Sequence, residues 1–576
     1  MPALLLENLH FSYPPVLADG KTSEILQGLS LRVPDGQALA IMGATSSGKT
    51  TLALILAGLA PQMTGGQLTG TVRVGGLDAA HTPPAHLSRT VGLAFQESER
   101  QLFNMTVAEE VAFGLEGQAL PPAEIGPRVA WALQRTGLTG LEERSPWQLS
   151  GGQQKRLAIA SVLALQPPIL VLDEPMAGLD PAGRREVAAL LNELKRTRGT
   201  TVIVLEKDAE FSARWAERVV VLEGGRVALD GPPADVFQRV EQLHTMGVAT
   251  PQLAELAARL RAGGETAAFL TAQEAVAWFM PRWQAAAATL PSPPAAPTAA
   301  APLAVEVQAV TFAYDRAAPA LNALSLTVPA GQFVALVGPN GGGKSTLARH
   351  LIGLLRPQRG SITINGSPAA THAVGELART VGYVFQNPDR QLFAPSVREE
   401  VAYGARNLGL RGTALDERVE DALAAFDLQS AASMPPAVLG YGLRRLTTLA
   451  SVWAMQPSIW VLDEPTTGLD ARLVALLLAR LHTLHAAGRT ILLITHDLKL
   501  AAQAERIVAL SQGEVALDGP PAVVLADEAP LAALALRPPP VTRLSARLAT
   551  RGFPHPQLTV DDFLRAWNGR NALTTP

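Results

Sequence analysis

Gly43-Ala44-Thr45-Ser46-Ser47-Gly48-Lys49-Thr50 decides the reading of this chain, because the spacing G-x-x-x-x-G-K-[ST] returns at Gly338-Pro339-Asn340-Gly341-Gly342-Gly343-Lys344-Ser345. The first copy follows the apolar run Gln37–Met42 and opens a helical pattern over Lys49–Ala60. Such a loop has chemical meaning in that strand–loop–helix context. Glycines let successive N–H groups turn inward around phosphate oxygens, and the helix N-terminus adds a positive dipole end. Lys49 and Lys344 are then expected on the β/γ-phosphates, with Thr50 and Ser345 on Mg²⁺. Thr51 and Thr346 belong to the same ATP-binding stretches.

Working outward, each copy carries a strand ending in two carboxylates, Ile169–Leu172 before Asp173-Glu174 and Ile459–Leu462 before Asp463-Glu464. Alone, such a pair is a solvated strand end. Downstream of a phosphate loop, the aspartate suits Mg²⁺ and Glu174 or Glu464 suits the attacking water. Gln96 and Gln386 follow the apolar strands Val91–Phe95 and Val381–Phe385, where an amide can ligate Mg²⁺ and report on the γ-phosphate. Tyr13 and Tyr314, early in each copy, are placed to stack on adenine or to serve as core tyrosines.

The whole chain is a repeat. FQESERQLFNMTVAEEVAFG begins at Phe95 and FQNPDRQLFAPSVREEVAYG at Phe385; VLDEPMAGLD ends at Asp180 and VLDEPTTGLD at Asp470. Apolar runs alternating with helical stretches predict an α/β fold in each copy, a parallel sheet with crossover helices. The expected domains are 1–245 and 304–530. Short helical or mixed appendices occupy 246–284 and 531–576, and an Ala/Pro-rich linker spans 285–303. The 576 residues carry 48 basic and 51 acidic side chains, a net charge of −3, which gives no basic field for coating nucleic acid. The absence of cysteine excludes disulfides and thiolate chemistry. No run of about 18 apolar residues predicts a membrane span.

Leu149-Ser150-Gly151-Gly152-Gln153, with both phosphate loops and both acidic pairs, resembles the ATP-binding cassette (ABC) ATPases over most of the chain. The resemblance implies two tandem P-loop cassettes, each with a mainly parallel core, a helical subdomain and an antiparallel β subdomain. It implies that each ATP lies between the phosphate loop of one cassette and the LSGGQ of the other. FQNPDRQLF, the following VREEVAYG and the DGPP ending of each copy are similar to ATPases of energy-coupling factor importers of vitamins or of cobalt and nickel ions. A transmembrane coupling subunit and a substrate-binding membrane subunit are the implied partners, at the cytoplasmic face of the cell membrane. The alternatives are a fused sugar-importer ATPase, or a soluble tandem ABC protein acting on ribosomes or DNA. The segments Arg100–Phe103 and Arg390–Phe393 would line the docking groove through Leu102 and Leu392, unless both are ordinary core.

The copies are unequal. Where the first has LSGGQ, the second reads Leu439-Gly440-Tyr441-Gly442-Leu443, and where the second has His496 the first has Lys207. By the implied cross-pairing both departures fall on one composite site. The site of Lys344, Glu464 and His496 with Ser150, Gly151, Gly152 and Gln153 is expected to hydrolyse ATP. The site of Lys49, Glu174 and Lys207 is expected to bind it and turn it over slowly or not at all.

Overall fold

The computed structural model describes residues 2–15, 24–98, 101–283, 302–314 and 318–569. They form two compact units, 1–270 with 470–472 and 271–469 with 473–576. The Ala/Pro-rich stretch lies outside the described residues as far as 301; Leu303 already opens a strand.

In the first unit six strands lie in the order Arg226–Gly231, Arg218–Glu223, Ala38–Gly43, Thr201–Leu205, Ile169–Asp173, Val91–Ala94. All pair in parallel except the edge strand Arg226–Gly231. A parallel strand covered on both faces must be apolar throughout, and alternation assigns each side chain to one core or the other. Leu39 and Ile41 join the core shared with a four-stranded antiparallel sheet, while Ala40 and Met42 join the opposite one. Ile203 and Leu205 divide from Val202 and Val204 in the same way. The antiparallel sheet runs Glu24–Val33, Leu4–Ser12, Gln67–Val74, Leu77–Asp78. Helices Val107–Gly117, Pro122–Arg135 and Gly151–Ala164 build a third layer around Val111, Leu133 and Leu157.

The second unit repeats this plan. Its six strands run Val381–Val384, Ile459–Asp463, Thr490–Ile494, Phe333–Val337, Arg506–Ser511, Glu514–Gly519, and its helical layer is Val397–Asn407, Gly412–Ala425 and Tyr441–Met455. The α/β architecture expected from the sequence, with helical and antiparallel subdomains, is present in both. The first helix is shorter than its apolar pattern, ending at Leu56. Gly58 stops it: its φ is +70°, and a Cβ there would stand 2.5 Å from Leu87 Cδ1.

The helix Ala272–Phe279 packs inside the second unit against the tail helices Pro540–Ala549 and Val560–Asn568. Phe279 and Phe563 are fully buried, with ring centroids 5.0 Å apart, and Phe553 stacks on Phe563 at 4.6 Å. Rings of this size dominate so small a core. Phe563→Ala is expected to cost about 3–5 kcal/mol of tail stability. Amide exchange should quicken across 540–568 and stay unchanged in the six-stranded sheet. Equal acceleration in both would mean that the tail is not a separate cooperative unit.

Candidate active site

Both phosphate loops leave a buried strand and enter a helix through a left-handed glycine, Gly48 at φ +98° and Gly343 at +99°. Neither tolerates a side chain: a Cβ would lie 2.6 Å from Leu26 Cδ2 at the first and 2.7 Å from the Ala320 carbonyl at the second. Lys49 Nζ donates to the carbonyls of Gly43 and Ala44 at 2.7 and 2.9 Å, and Lys344 Nζ to those of Gly338 and Pro339 at 2.8 Å each. Burial, with Lys207 adding repulsion, pushes the Lys49 ammonium down to about 8. Tyr13 and Tyr314 reach the loop helices by hydroxyl contacts with Thr51 at 3.3 Å and Thr346 at 3.2 Å. Tyr314 is half exposed, its ring edge-on to Phe312.

The acidic pairs close each site. Glu174 and Glu464 both have φ +47°, a left-handed backbone that costs a non-glycine residue of order 1–3 kcal/mol. In the first cassette Lys207 Nζ pairs with Glu174 Oε1 at 2.8 Å, and Gln96 Nε2 donates to Glu174 Oε2 at 2.9 Å. Thr50 is hydrogen-bonded to Asp173, whose carboxyl is pushed up to about 6 by burial, with Glu174 beside it adding repulsion. Oδ1 of Asp173 is buried and finds no hydrogen-bond partner among the described residues. Hard oxygen donors from Thr50, Asp173 and Gln96, with one carboxylate oxygen left over, fit a Mg²⁺ ion. In the second cassette His496 Nδ1 lies 2.9 Å from Glu464 Oε2, and Ser345 and Tyr383 are hydrogen-bonded to Asp463. Ser345, Asp463 and Gln386 form the corresponding donor set.

Several contributors escaped the motif reading. Lys155 Nζ donates to the carbonyls of Glu174 at 2.5 Å and Gln96 at 3.1 Å. Arg445, fully buried, does the same for Glu464 and Gln386. Glu206 accepts from the backbone N–H groups of Met176, Lys207 and Asp208, and burial pushes its carboxyl up to about 7. Each could have been found by overlaying the repeats: Lys155 meets Arg445, Glu206 meets Thr495, and Leu93 meets Tyr383.

The LSGGQ turn and its counterpart also differ in place. Ser150 caps the helix Gly151–Ala164, its hydroxyl accepting from Gln153 N while Gln153 Oε1 accepts from Ser150 N. Ser150 and Gly151 are exposed and Gly152 is half-buried. In the second cassette Gly440 supplies no cap. The Tyr441 ring lies against its own cassette, so that a Cβ on Gly468 would stand 2.4 Å from Tyr441 Cδ1.

The strips after the two glutamines need one correction. Leu102 is core, packed among Val107, Val111 and Leu157, and Leu392 is half-buried. The next residues are the ones presented to solvent: Phe103 is 59% exposed and Phe393 65%, each edge-on to a second exposed ring, Phe113 or Tyr403. Arg100 lies outside the described residues. Beside Phe103 a groove of about 730 Å³ has an apolar floor of Ala112, Ile125 and Val129 and a rim of Glu109, Glu116 and Glu143. No helix among the described residues is long and apolar enough to cross a membrane.

A family model described as ABC transporter matches residues 26–177 and 321–467. The chain is 37% identical to a "Putative ABC transporter ATP-binding protein" of Methanosarcina acetivorans, over 98% of this chain and 94% of that one. It is 34% identical to a protein of the same description from Caldanaerobacter subterraneus, over 95% and 96%. It is 31% identical to the "Putative HMP/thiamine import ATP-binding protein YkoD" of Bacillus subtilis, over 91% and 93%. With the family model falling on both repeats and relatives matched along nearly their whole length, the chain belongs to the ABC transporter family, as a fused pair of cassettes that hydrolyse ATP to drive transport.

Proposed function

We propose that the chain is the ATPase of an energy-coupling factor importer, held at the cytoplasmic face of the cell membrane by a transmembrane coupling subunit that works with a substrate-binding membrane subunit. The likeness to the Bacillus subtilis protein, named for HMP/thiamine import, supports this reading. The exposed rings of Phe103 and Phe113, Phe393 and Tyr403 offer the coupling subunit an apolar face, and the glutamate-rimmed groove adds an acidic one on the first cassette.

The observation that carries the mechanism is the difference between the two acidic corners. In the second cassette Glu464 accepts a hydrogen bond from the attacking water and orients it along the line to the γ-phosphate. His496, beside Glu464, relays that arrangement to the phosphate. Lys344 and the loop amides hold the β/γ-phosphates, and Ser150, Gly151 and Gly152 close the composite site from the other cassette. Ser345, Asp463 and Gln386 would hold Mg²⁺, which when bound would supply positive charge to the phosphates. In the first cassette Glu174 is already engaged by Lys207 and Gln96. A carboxylate committed on both oxygens is poorly placed to receive water. That site holds ATP and turns it over slowly.

Glu464→Gln is expected to lower the steady-state ATPase rate by about 10²-fold or more, and Glu174→Gln by less than about three-fold. Equal losses would show that both corners hydrolyse. Phe103→Asp with Phe393→Asp should abolish co-purification of polytopic membrane subunits from detergent extracts while ATP binding persists; retained subunits would place the docking face elsewhere. Lys49 supplies a pH test, because it is charged below about 8 and phosphate favours its charged form. With the second loop silenced by Lys344→Ala, ATP affinity should be flat below pH 8 and weaken by about ten-fold per unit above it. Lys207→Met removes the neighbouring cation and should move that break upward. Affinity constant from pH 7 to 9.5 would show that Lys49 does not meet phosphate.

A further inference from the structure

Tyr383 stands on the strand Val381–Val384, two residues before Phe385 and opposite Val461 of the neighbouring strand. Its hydroxyl donates to Asp463 Oδ2 at 3.0 Å, a hydrogen bond buried from water. The ring is fixed edge-on to Phe385, centroids 4.6 Å apart, and is 8% exposed. The first cassette has Leu93 at the corresponding place, and there the buried Oδ1 of Asp173 has no partner among the described residues. The two cassettes therefore differ at their metal-facing aspartates as well as at their glutamates. Nothing in the phosphate loop, the acidic pair or the LSGGQ turn demands a tyrosine on this strand.

We infer that the Tyr383 hydroxyl is a positioning group for Asp463, fixing the carboxylate's rotation so that it is already set for the nucleotide's metal, a support that the first cassette lacks. A carboxylate on a strand end turns about χ2 in a broad well. Hydrogen bonds from Ser345 and from Tyr383 restrict that freedom before the metal arrives. Groups that hold a ligand from behind typically alter metal affinity by 10–100-fold. The inference rests on the reading that Asp463 faces Mg²⁺, and the test separates the two.

The probe is Mn²⁺ with a non-hydrolysable ATP analogue, free Mn²⁺ being read by electron paramagnetic resonance. The full chain carries Lys49→Ala, so that only the second cassette is loaded. Tyr383→Phe, which removes one oxygen atom and keeps the ring, should weaken Mn²⁺ binding by about ten-fold while the metal-free protein keeps a single cooperative thermal transition. Asp463→Asn should weaken binding at least as much. Mn²⁺ affinity within two-fold of the parent in Tyr383→Phe, with Asp463→Asn still weak, overturns the inference and leaves the metal reading standing. No effect from Asp463→Asn overturns both. Leu93→Tyr, in a chain whose second loop is silenced by Lys344→Ala, is the reciprocal arm and is expected to tighten Mn²⁺ binding in the first cassette. Should Tyr383→Phe fail to fold, absence of tightening there overturns the inference.

Discussion

A buried cation holds each acidic-pair corner together. Lys155 in the first cassette and Arg445 in the second reach from the helix after the signature turn to two backbone carbonyls, that of the strand-end glutamine and that of the acidic-pair glutamate. The glutamate needs such a partner, because its left-handed backbone at φ +47° persists only where the surroundings over-determine it. The same contact fixes where the glutamine's side chain starts. A displacement of that helix must therefore be felt at both residues. Burial makes this contact costly to break: Arg445 is wholly enclosed, and withdrawing one partner would leave a desolvated charge.

What the sequence displayed and what it concealed divide along that line. The phosphate loops were legible because a glycine at φ near +98° and a lysine six residues after the strand's last glycine leave few alternatives. The strand assignments were legible because parallel strands are apolar on both faces, and alternation such as Leu39/Ala40/Ile41/Met42 needs no polar partner. The helix after the first loop was overestimated because apolar Leu59 and Ala60 continue the pattern past Gly58, and only the contact with Leu87 reveals the stop. The exposure of Phe103 over Leu102 could not be read from composition, since both are large and apolar and only the packing of the helical layer separates them. Lys155, Tyr383 and Glu206 escaped because their roles lie in three-dimensional partners far along the chain. Even so, each stands at a place where the repeats disagree.

The repeats act as each other's control. Backbone geometry is duplicated down to the glutamate torsion and the loop glycine, so the differences that matter are single side chains. At the first corner two of them arrive together: Glu206 and Lys207 stand where the second has Thr495 and His496. A lysine alone would place an extra positive charge in a desolvated pocket that already holds Lys49 and Lys155; burial first, and Lys207 second, push the Lys49 ammonium down. Glu206 stands next to it, anchored by three backbone N–H groups. The lysine gives Glu174 a fixed ionic partner. Random decay of a hydrolytic site would be expected to leave an unpaired charge or a void. The paired replacement instead leaves the phosphate loop and its buried lysine in place, beside a Glu174 held by an ion pair and an amide.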